Sequence, residues 1–379
     1  MPTTSWKFLL NNATDFTSNV LSASINQGRE KYLDSYPGGS INITINNSAN
    51  LASSFNFNDK IYVRSINDAN GFRDVFTVQQ ITYDDYPGNT GLSTATIFAT
   101  DALSRSGRYQ ATNKALTQTT TTTQMEQFNT SPLPTDLYVL STFGGPGNST
   151  ASAQTYTGTV LNQLNILEAT ERGLLRTGIF GSFIRQFIFP QSRGKIKDFV
   201  VSAFTFGRNT SASVIAYNTF ERIQNGASFI NTCTIAPLGL ANETRSNATS
   251  VSTYGATFYS SSTVDYNQAQ AQGNGDWVVD TFSNVNDLRF RIGFTDRMQN
   301  ATAYGVFLLN FPDIVFTLTY RVPAAGSDTT VNVVLEGWQI NITPEQTTYS
   351  LSFSPLTYYQ FFTLNSSTLG ILDTSRLGW

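Results

Sequence analysis

The chain has 379 residues, a length that fits two or three domains of about 100–200 residues each. Charged residues make up only 13% of it, against roughly 25% in typical soluble proteins, and the net charge of −3 leaves no basic field for a nucleic-acid backbone. One cysteine and no histidine exclude an internal disulfide, a Ser-His-Asp triad and a histidine-ligated zinc. The N-terminus has no cationic stretch before an apolar run, and no run approaches the length of a membrane span, so we expect neither a secretory signal nor a spanning segment.

Residues 1–108 are predicted to form a compact barrel or sandwich of strands. Ile41, Ile43 and Ile45 alternate with polar residues, which is the period of a half-buried strand, and a Pro-Gly-Gly turn precedes them. The runs KIYVRSI, VFTVQQITY and LSTATIFATDAL follow, with a Pro-Gly turn before the last. Short strands separated by turns are typical of a small all-β domain.

Residues 109–158 differ in composition and are predicted to be a connector rich in Thr, Gly and Pro. The run TQTTTTTQ is of low complexity, and PLP and FGGPG add residues that break helices and strands. We expect one short helix near Met125–Phe128, with an edge strand in the Thr run as the alternative.

Residues 159–235 are predicted to form an α+β insertion domain that opens with a helix over 159–173. Leucines recur at helical spacing, Thr159 can cap the start and Gly173 can end the helix. Residues 174–235 return to strand patterns such as FIRQFIFP and SFINTCTIAP. Cys233 lies in the last of these, and we interpret it as a buried, inert thiol.

Residues 236–304 are a polar, mixed segment, and residues 305–379 are predicted to be C-terminal barrel strands followed by a docked tail. Phe316, Leu318 and Tyr320 alternate with threonines, as in a half-buried strand. The tail, Asn365–Trp379, is apolar and aromatic. The segments near residues 75 and 333 share a strand, turn and strand form, which indicates either two similar small barrels or a chance likeness between hairpins.

A search for catalytic chemistry assigns no catalytic, cofactor-binding or metal-binding residue. Glu168 and Glu171 share one face of the predicted helix, and we interpret them as a solvated polar face. We predict that Asp84 and Asp85 lie in a turn.

Two further clusters carry weak signals. Asp15, Asp34 and Asp59 could supply oxygens to calcium but lack EF-hand spacing, and Gly144–Gly147 is placed in the connector and not in a phosphate loop. Tyr254 and the Gly337-Trp338 pair are the strongest candidates for structural importance, with ordinary core packing as the interpretation.

Three stretches together resemble the tail hub, or minor tail, proteins of tailed bacteriophages. The first is ASINQGREKYLDSYPGGSINITINNSAN (23–50), followed by VFTVQQITY and FATDALSR. The second is LNQLNILEATERGLLRTG (161–178), continued by SVSTYGATFY. The third is GWQINITP with SLSFSP and the terminal SRLGW. The segment between about 259 and 305 does not match the pattern, and the charge content is lower than in the family.

The resemblance implies a mainly β fold with two small hub-type barrels, an intervening α+β domain and a linker. It implies a homotrimer at the distal end of the tail, whose six barrels form a pseudo-six-fold ring below the tail tube. The implied neighbours are distal tail or tail-tube proteins, the tape-measure protein, and tip or fibre proteins. The implied location is the virion, after synthesis in the host cytoplasm, with no enzymatic activity, no cofactor and no specific nucleic acid.

Two other functions stay open from the sequence. The aromatic, Asn- and Thr-rich composition also suits a receptor- or glycan-binding tail tip protein, because Tyr and Trp rings can stack on sugars. Paired carboxylates could also serve a glycan hydrolase, for which Glu168 and Glu171 are the candidates.

Overall fold

The computed structural model describes residues 6–65, 73–140, 149–178, 186–191, 202, 204–224, 229–283, 288–310, 315–322 and 327–359. The first strands are β1 (Trp6–Leu10), β2 (Thr14–Asp15), β3 (Val20–Gly28), β4 (Ser40–Asn46), β5 (Lys60–Ser65), β6 (Arg73–Asp84), β7 (Thr94–Thr100), β8 (Gln110–Leu116), β9 (Thr119–Thr120), β10 (Leu137–Val139), β11 (Thr150–Ala151) and β12 (Gln154–Thr159). The remaining strands are β13 (Leu174–Gly178), β14 (Gln186–Gln191), β15 (Thr205–Gly207), β16 (Val214–Ala216), β17 (Thr219–Gln224), β18 (Thr232–Pro237), β19 (Glu243–Ser246), β20 (Phe258–Thr263), β21 (Leu288–Thr295), β22 (Val315–Tyr320), β23 (Thr329–Ile342) and β24 (Thr347–Pro355).

Among the described residues, helices are fewer than strands. They are α1 (Ala102–Ser106), α2 (Thr121–Glu126), α3 (Val160–Glu171), α4 (Ala248–Tyr254), α5 (Gln268–Phe282) and α6 (Ala301–Asn310), with 3-10 turns at Thr17–Asn19, Leu51–Ser54, Thr90–Leu92, Gln127–Thr130, Asp296–Met298 and Leu356–Tyr359. The predicted mainly β fold is confirmed. Within the described ranges, none of the helices combines the length and the apolar character needed to cross a bilayer.

Fourteen strands form one large sheet, and one strand joins its two halves. The order is β16–β15–β22–β23–β3–β4–β7–β6–β5–β1–β2, and β24, β21 and β17 continue from the other edge of β23. On its shared edge, β23 pairs through Thr329–Val334 with β22 and then through Gly337–Ile342 with β3. We call the β3-to-β2 part the first half-barrel and the part built on β22, β24 and β21 the second half-barrel.

Both halves curl strongly. Phe206 on β15 and Phe294 on β21 have ring centroids 6.0 Å apart, although four strand spacings separate β15 from β21 along the sheet. A flat sheet would hold them about 19 Å apart, so the second half-barrel wraps around its own interior.

The first half-barrel wraps in the same way. Trp6 on β1 donates from Nε1 to Thr347 Oγ1 on β24 at 3.2 Å, across seven strand steps. The amide of Phe16 donates to the carbonyl of Phe8 on β1 at 3.1 Å, which extends the β1–β2 hairpin toward β3. The described strands therefore have the curl of two barrels, although no strand pairing among them closes either ring.

The predicted alternation is confirmed on the strands that carry the core. Ile41, Ile43 and Ile45 are fully buried on β4, and Phe316 and Leu318 are fully buried on β22. These residues belong to one hydrophobic core that runs through both half-barrels.

A second core lies in an α+β region beside the large sheet. It is built on α2, α3, α5 and four small sheets: β8–β12, β9–β11, β10–β14–β13 and β19–β18–β20. The predicted connector contributes β8 to β12, while β15, β16 and β17 from the predicted insertion and β21 from the polar segment pair within the large sheet. The division of the chain at residues 108, 158, 235 and 304 stays a prediction.

The predicted helix over 159–173 is confirmed as α3, with one difference at its end. Thr159 Oγ1 accepts from the Asn162 amide at 3.3 Å, as an N-cap should. The helix ends at Arg172, whose φ of 57° provides the left-handed cap that was predicted for Gly173. The short helix expected near Met125–Phe128 is also confirmed, as α2 and the following 3-10 turn. The predicted tail, 365–379, lies outside the described residues, as does Gly144–Gly147.

Candidate functional site at the junction of the two half-barrels

Two glycines bring the half-barrels into contact. Gly28 at the end of β3 lies opposite Gly337 in β23. A Cβ on Gly28 would lie 2.5 Å from the Gly337 Cα, and a Cβ on Gly337 would lie 2.6 Å from the Arg29 carbonyl oxygen. Gly28 also has a φ of +83°, which L side chains rarely adopt. This close approach therefore requires glycine on both strands.

Arg29 follows Gly28 and is the centre of a buried ionic cluster. Its Nε donates to Glu336 Oε2 at 2.8 Å and its Nη1 donates to Glu168 Oε1 at 2.8 Å. Its Nη2 donates to the Gly173 carbonyl at 3.2 Å. Because Glu336 lies on β23 and Glu168 lies on α3, this one guanidinium ties both half-barrels to the α+β region.

Aromatic residues complete the cluster. The Tyr359 hydroxyl donates to Glu336 Oε1 at 2.6 Å and accepts from Arg29 Nη2 at 3.3 Å. The Tyr32 and Tyr36 ring centroids lie 5.0 and 4.7 Å from the guanidinium carbon, within cation–π range. The charged groups are thus surrounded mainly by hydrogen-bond partners and aromatic faces.

Burial sets the electrostatics of this cluster. Burial raises the pKa of Glu168 above its usual value, and the opposing charges of Arg29 and Arg172 offset this only in part. Burial also disfavours the Arg29 cation, but Tyr36, Glu336 and Glu168 outweigh it and hold the pKa of Arg29 well above its usual value. Removing one partner of such a buried pair typically costs about 3–5 kcal/mol.

Trp338 and Arg176 extend the junction on β23 and β13. Trp338 is buried, and the Arg176 guanidinium carbon lies 5.5 Å from its ring centroid. Arg176 Nη2 also donates to the Leu335 carbonyl at 2.6 Å, beside the bulge where β23 changes partner. Tyr254, the other residue singled out in the sequence, is 55% exposed and packs edge-on against Phe229.

A second buried acidic group consists of Asp74 on β6 and Asp101 at the start of α1. Asp101 caps α1 by accepting from the Ser104 amide at 2.8 Å, and its other oxygen accepts from Thr177 at 3.3 Å. Asp74 on β6 is fully buried, and burial followed by the charge of Asp101 raises its pKa well above the usual value.

A third group pairs opposite charges at the same end. Lys60 Nζ and Arg105 Nη1 both reach Asp136 Oδ2, at 2.7 and 3.0 Å. Burial raises the pKa of Asp136, but the bonds from Arg105 and Lys60 outweigh it and hold that pKa below its usual value.

The interpretation of Glu168 and Glu171 as a solvated face is wrong. Glu168 is 7% exposed and Glu171 is 3% exposed. Glu171 Oε2 accepts from the Thr121 hydroxyl and the Ser149 amide, both at 2.9 Å. Helix α3 packs in the second core and reaches the junction, so these two acids are buried and not solvated.

The remaining sequence candidates are scattered. Asp84 and Asp85 are exposed at the β6–β7 turn. Asp15 pairs with Lys7, Asp34 pairs with Lys31 and Asp59 accepts from Asn11. No three acidic or cysteine side chains of the described chain converge as metal ligands would.

Cys233 is fully buried on β18. Burial raises the pKa of its thiol to about 11, which keeps the sulfur protonated at neutral pH.

Sequence reasoning missed the ionic cluster, although one signal pointed to it. Glu336 is a lone charge inside the apolar run VNVVLEGWQINI, in a chain with few charges. Such a residue in a buried strand requires a cation nearby. Nothing in the sequence singles out Arg29, 307 residues away, as that cation.

Comparison with known proteins gives structural likeness alone. No family model matches the chain, and no curated protein matches it. A tail protein from Neisseria meningitidis MC58 is 10% identical with a TM-score of 0.62, covering 93% of this chain and 96% of that one.

Two other solved structures are similar. The 43 kDa tail protein of prophage MuSo2 from Shewanella oneidensis is 11% identical with a TM-score of 0.55, covering 94% of this chain and 98% of that one. An E. coli component of the type VI secretion system, described as similar to the T4 bacteriophage tail proteins gp27 and gp5, is 8% identical with a TM-score of 0.51, covering 89% of this chain and 73% of that one. The chain therefore has the fold of phage tail proteins, as the resemblance of its sequence motifs predicted.

Proposed function

We propose that this chain is a structural subunit of a phage tail, a hub at the distal end whose copies assemble as a homotrimer. Its support is the fold shared with phage tail proteins over nearly the whole chain and the resemblance of three sequence stretches to tail hub proteins. One chain supplies two half-barrels, so three chains supply six. Such a ring matches a six-fold tail tube above and a three-fold tip below.

The observation that carries the proposal is the junction. The two half-barrels share a continuous run of backbone pairing through β23 and β3, and the Arg29 cluster is fully buried behind it. A ring of six equal units made from three chains needs two units at a fixed angle within each chain. A hydrogen-bonded sheet with buried ion pairs provides that rigidity, which a flexible linker does not.

The proposed neighbours are distal tail or tail-tube proteins above, the tape-measure protein at the lumen and tip or fibre proteins below. The charge content of 13% fits a surface that is largely covered in an assembly, because charged residues are depleted at interface cores.

The assembly can be tested directly. Light scattering of the purified chain should give the mass of a trimer, and cryo-electron microscopy of the tail should show a ring with three copies of this chain. A purified monomer that has no place in the virion would contradict the proposal, as would copies arranged around any axis other than a three-fold.

We propose no enzymatic activity for this chain. Asp34 and Glu168 border one polar cavity, and burial raises the pKa of both carboxyls, which is the feature that a glycan hydrolase would need. One carboxylate oxygen of Glu168 is held in the ion pair with Arg29, and Glu171 accepts a hydrogen bond from Thr121. Wild-type chain should release no soluble sugar from cell-wall glycan, and release that is abolished by Glu168→Gln would overturn this assignment.

Glycan binding through the residues that the sequence singled out is less well supported. Trp338 is buried at the junction and presents no face to solvent. A glycan array probed with the full chain should show no binding, and binding that Tyr254→Ala abolishes would favour a receptor-binding role.

A further inference from the structure

A polar cavity of about 260 Å³ lies beside the junction, where three parts of the chain meet. One wall is the face of α3 that carries Asn162, Asn165 and Ala169, the second is the loop between β3 and β4, and the third is residues 259–262 of β20. The asparagines of α3 and the serines of β20 therefore give the cavity walls that exchange hydrogen bonds. A water molecule takes up about 30 Å³ of the liquid, so the cavity has room for a small polar ligand.

Arg172 follows α3 and lines this cavity with incomplete hydrogen bonds. It is 3% exposed, and its Nη1 donates to the Tyr259 hydroxyl at 3.3 Å. Its Nε and Nη2 have no hydrogen-bond partner within the described chain. These two nitrogens share one edge of the planar guanidinium, and that edge matches the two oxygens of a carboxylate. Because nearly all buried donors in native proteins are paired, this open edge indicates a site for an acceptor.

The ion pairs of the cavity wall leave Arg172 without a carboxylate partner in the described chain. Glu168 Oε1 is bound by Arg29 at 2.8 Å, and Asp34 Oδ1 lies 3.6 Å from Lys31 Nζ. The two acids that border the cavity are thus already paired with other cations. A buried charge is stable only when it is paired and hydrogen-bonded, so an anion in the cavity would supply what the guanidinium of Arg172 lacks.

Aromatic rings hold this guanidinium in position. Its carbon lies 5.9 Å from the ring centroids of both Tyr259 and Trp277, within cation–π range. Burial disfavours the Arg172 cation, but the surrounding groups, with Tyr259 first among them, outweigh it and hold the pKa of Arg172 above its usual value. The side chain is therefore a positioned, permanent cation, and an anion that binds it has little ordering to pay for.

We propose that this cavity binds a carboxylate, whose two oxygens accept from Nε and Nη2 of Arg172 and whose remaining atoms face the asparagines of α3 and the serines of β20. One available cation suits a single negative charge better than a phosphate dianion, which proteins commonly bind with a cluster of arginines. The carboxylate belongs either to a free small acid or to an acidic side chain of another protein, and matched probes separate these two sources. The proposal depends on the cavity alone and not on the assembly of the tail.

Two matched pairs of probes test the carboxylate with the full wild-type chain. Lactate and lactamide differ in one charged group, as do the peptides N-acetyl-Ser-Glu-Ser-amide and N-acetyl-Ser-Gln-Ser-amide. Titrations followed by ligand-observed NMR at constant ionic strength should give a Kd at least about tenfold lower for the acid of a pair, because charge-assisted hydrogen bonds are roughly twice as strong as neutral ones. Tighter binding of lactate identifies a free acid as the source, and tighter binding of the glutamate peptide identifies a protein side chain.

Variants test whether Arg172 and the cavity form the site. Arg172→Lys keeps the positive charge but removes the bidentate edge, so it should raise the Kd of the acid probe at least about tenfold. Ala169→Leu leaves Arg172 unchanged and fills part of the cavity, so it should weaken binding as strongly. Arg245→Met is the matched control and should bind as the wild type does, because Arg245 lies outside the cavity wall and pairs with Glu243 and Asp276. Thermal melts establish that each variant is folded.

Three results would overturn the proposal: no preference for the acid in either pair of probes, tighter binding of inorganic phosphate than of either acid, or unchanged acid binding in a folded Arg172→Lys or Ala169→Leu chain. If both variants fail to fold, the comparison of acid with amide on the wild-type chain decides. The mass and symmetry of the assembly do not enter these measurements, so this proposal and the proposed tail function fail separately.

Discussion

The two half-barrels fill their interiors in different ways. The first combines a block of small and β-branched residues from neighbouring strands with a few aromatic residues; the aliphatic block is Ile41, Ile43, Ile45, Ile61, Val63, Ala95 and Ile97, and the aromatic residues are Trp6, Phe8, Phe16, Phe55 and Phe76. The second uses a network of aromatic rings, chiefly Phe204, Phe206, Phe290, Phe294, Phe307, Phe316 and Phe353. Phe307 comes from α6, so an α-helix contributes to the interior of the second half-barrel. The comparison teaches that two curled parts of one sheet can differ in how far they depend on aromatic rings: the first relies mainly on aliphatic residues of adjacent strands, and the second on rings that meet across distant strands.

The largest effect is expected from an aromatic ring of the second half-barrel. Phe206 is fully buried and contacts the rings of Phe204, Phe294, Phe307, Phe316 and Phe353. Phe206→Ala should lower the free energy of unfolding by about 3–5 kcal/mol, and Ile43→Val in the first half-barrel should lower it by only about 0.5–1.5 kcal/mol. Urea unfolding of the two variants measures the contrast, and equal losses would break it.

The junction belongs to neither half-barrel and should be nearly as sensitive as the aromatic interior. Arg29→Met leaves Glu336 and Glu168 without their cation and should cost about 3–5 kcal/mol. The matched change is Arg291→Met, because Arg291 pairs with Glu30 at the surface, and this change should cost about 0–1 kcal/mol. Similar urea midpoints for the two variants would mean that the buried cluster does not hold the half-barrels together.

The close approach of the two strands can be tested with one methyl group. Gly337→Ala places a Cβ against the Arg29 carbonyl and should cost about 1–3 kcal/mol, as other overpacked sites do. Gly88→Ala is the control, because a Cβ at Gly88 meets no atom within 4 Å. Differential scanning calorimetry should show a lower Tm for the first variant only, and an unshifted Tm for Gly337→Ala would refute the need for glycine there.

The smallest effects are expected from two acids that should respond to pH in opposite ways: Asp74 on β6 and Asp136 just before β10. The pKa of Asp74 is raised above its ordinary value near 3.8, so its contribution to stability is present below that value and is lost as pH rises through the raised pKa. Asp74→Asn should therefore stabilise the chain at pH 8, and the gain should shrink as pH falls toward about 4.

Asp136 should behave in the opposite way. The pKa of Asp136 is lowered by Arg105 and Lys60, so its contribution is present above the ordinary value and is lost as pH falls through the lowered pKa. Asp136→Asn should destabilise the chain at pH 8, with a smaller loss in acid. Thermal melts of both variants across this pH range check the signs, and two shifts of the same sign at pH 8 would contradict the assignment.

Local patterns predicted the local structure. The alternation of Ile41, Ile43 and Ile45 and the Thr159 cap of α3 follow from short-range geometry, so the sequence was enough to place them. The burial of Glu168 and the Arg172 cap could not be placed in this way, because both depend on what packs around α3.

The junction itself is the clearest example of what a pattern leaves open. Gly28-Arg29 and Gly337-Trp338 both belong to motifs that resemble tail hub proteins, but no period in the sequence shows that they face each other. The edge of β23 changes partner at Glu336, and that exchange is a property of the assembled sheet. The sequence therefore draws attention to the two motifs separately, but it does not show that they form one site.

The pairing of β3 with β23 also has a consequence for synthesis. At about 5–20 residues per second, a ribosome needs roughly 15–60 s to pass from Arg29 to Glu336, two residues 307 positions apart. During that time β3 has no β23 to pair with, and its open edge can attract another nascent chain. The edge of β3 is therefore protected from aggregation only after β23 has been translated. A chaperone that shields β3 on the ribosome would have its largest effect on this protein before the C-terminal strands emerge.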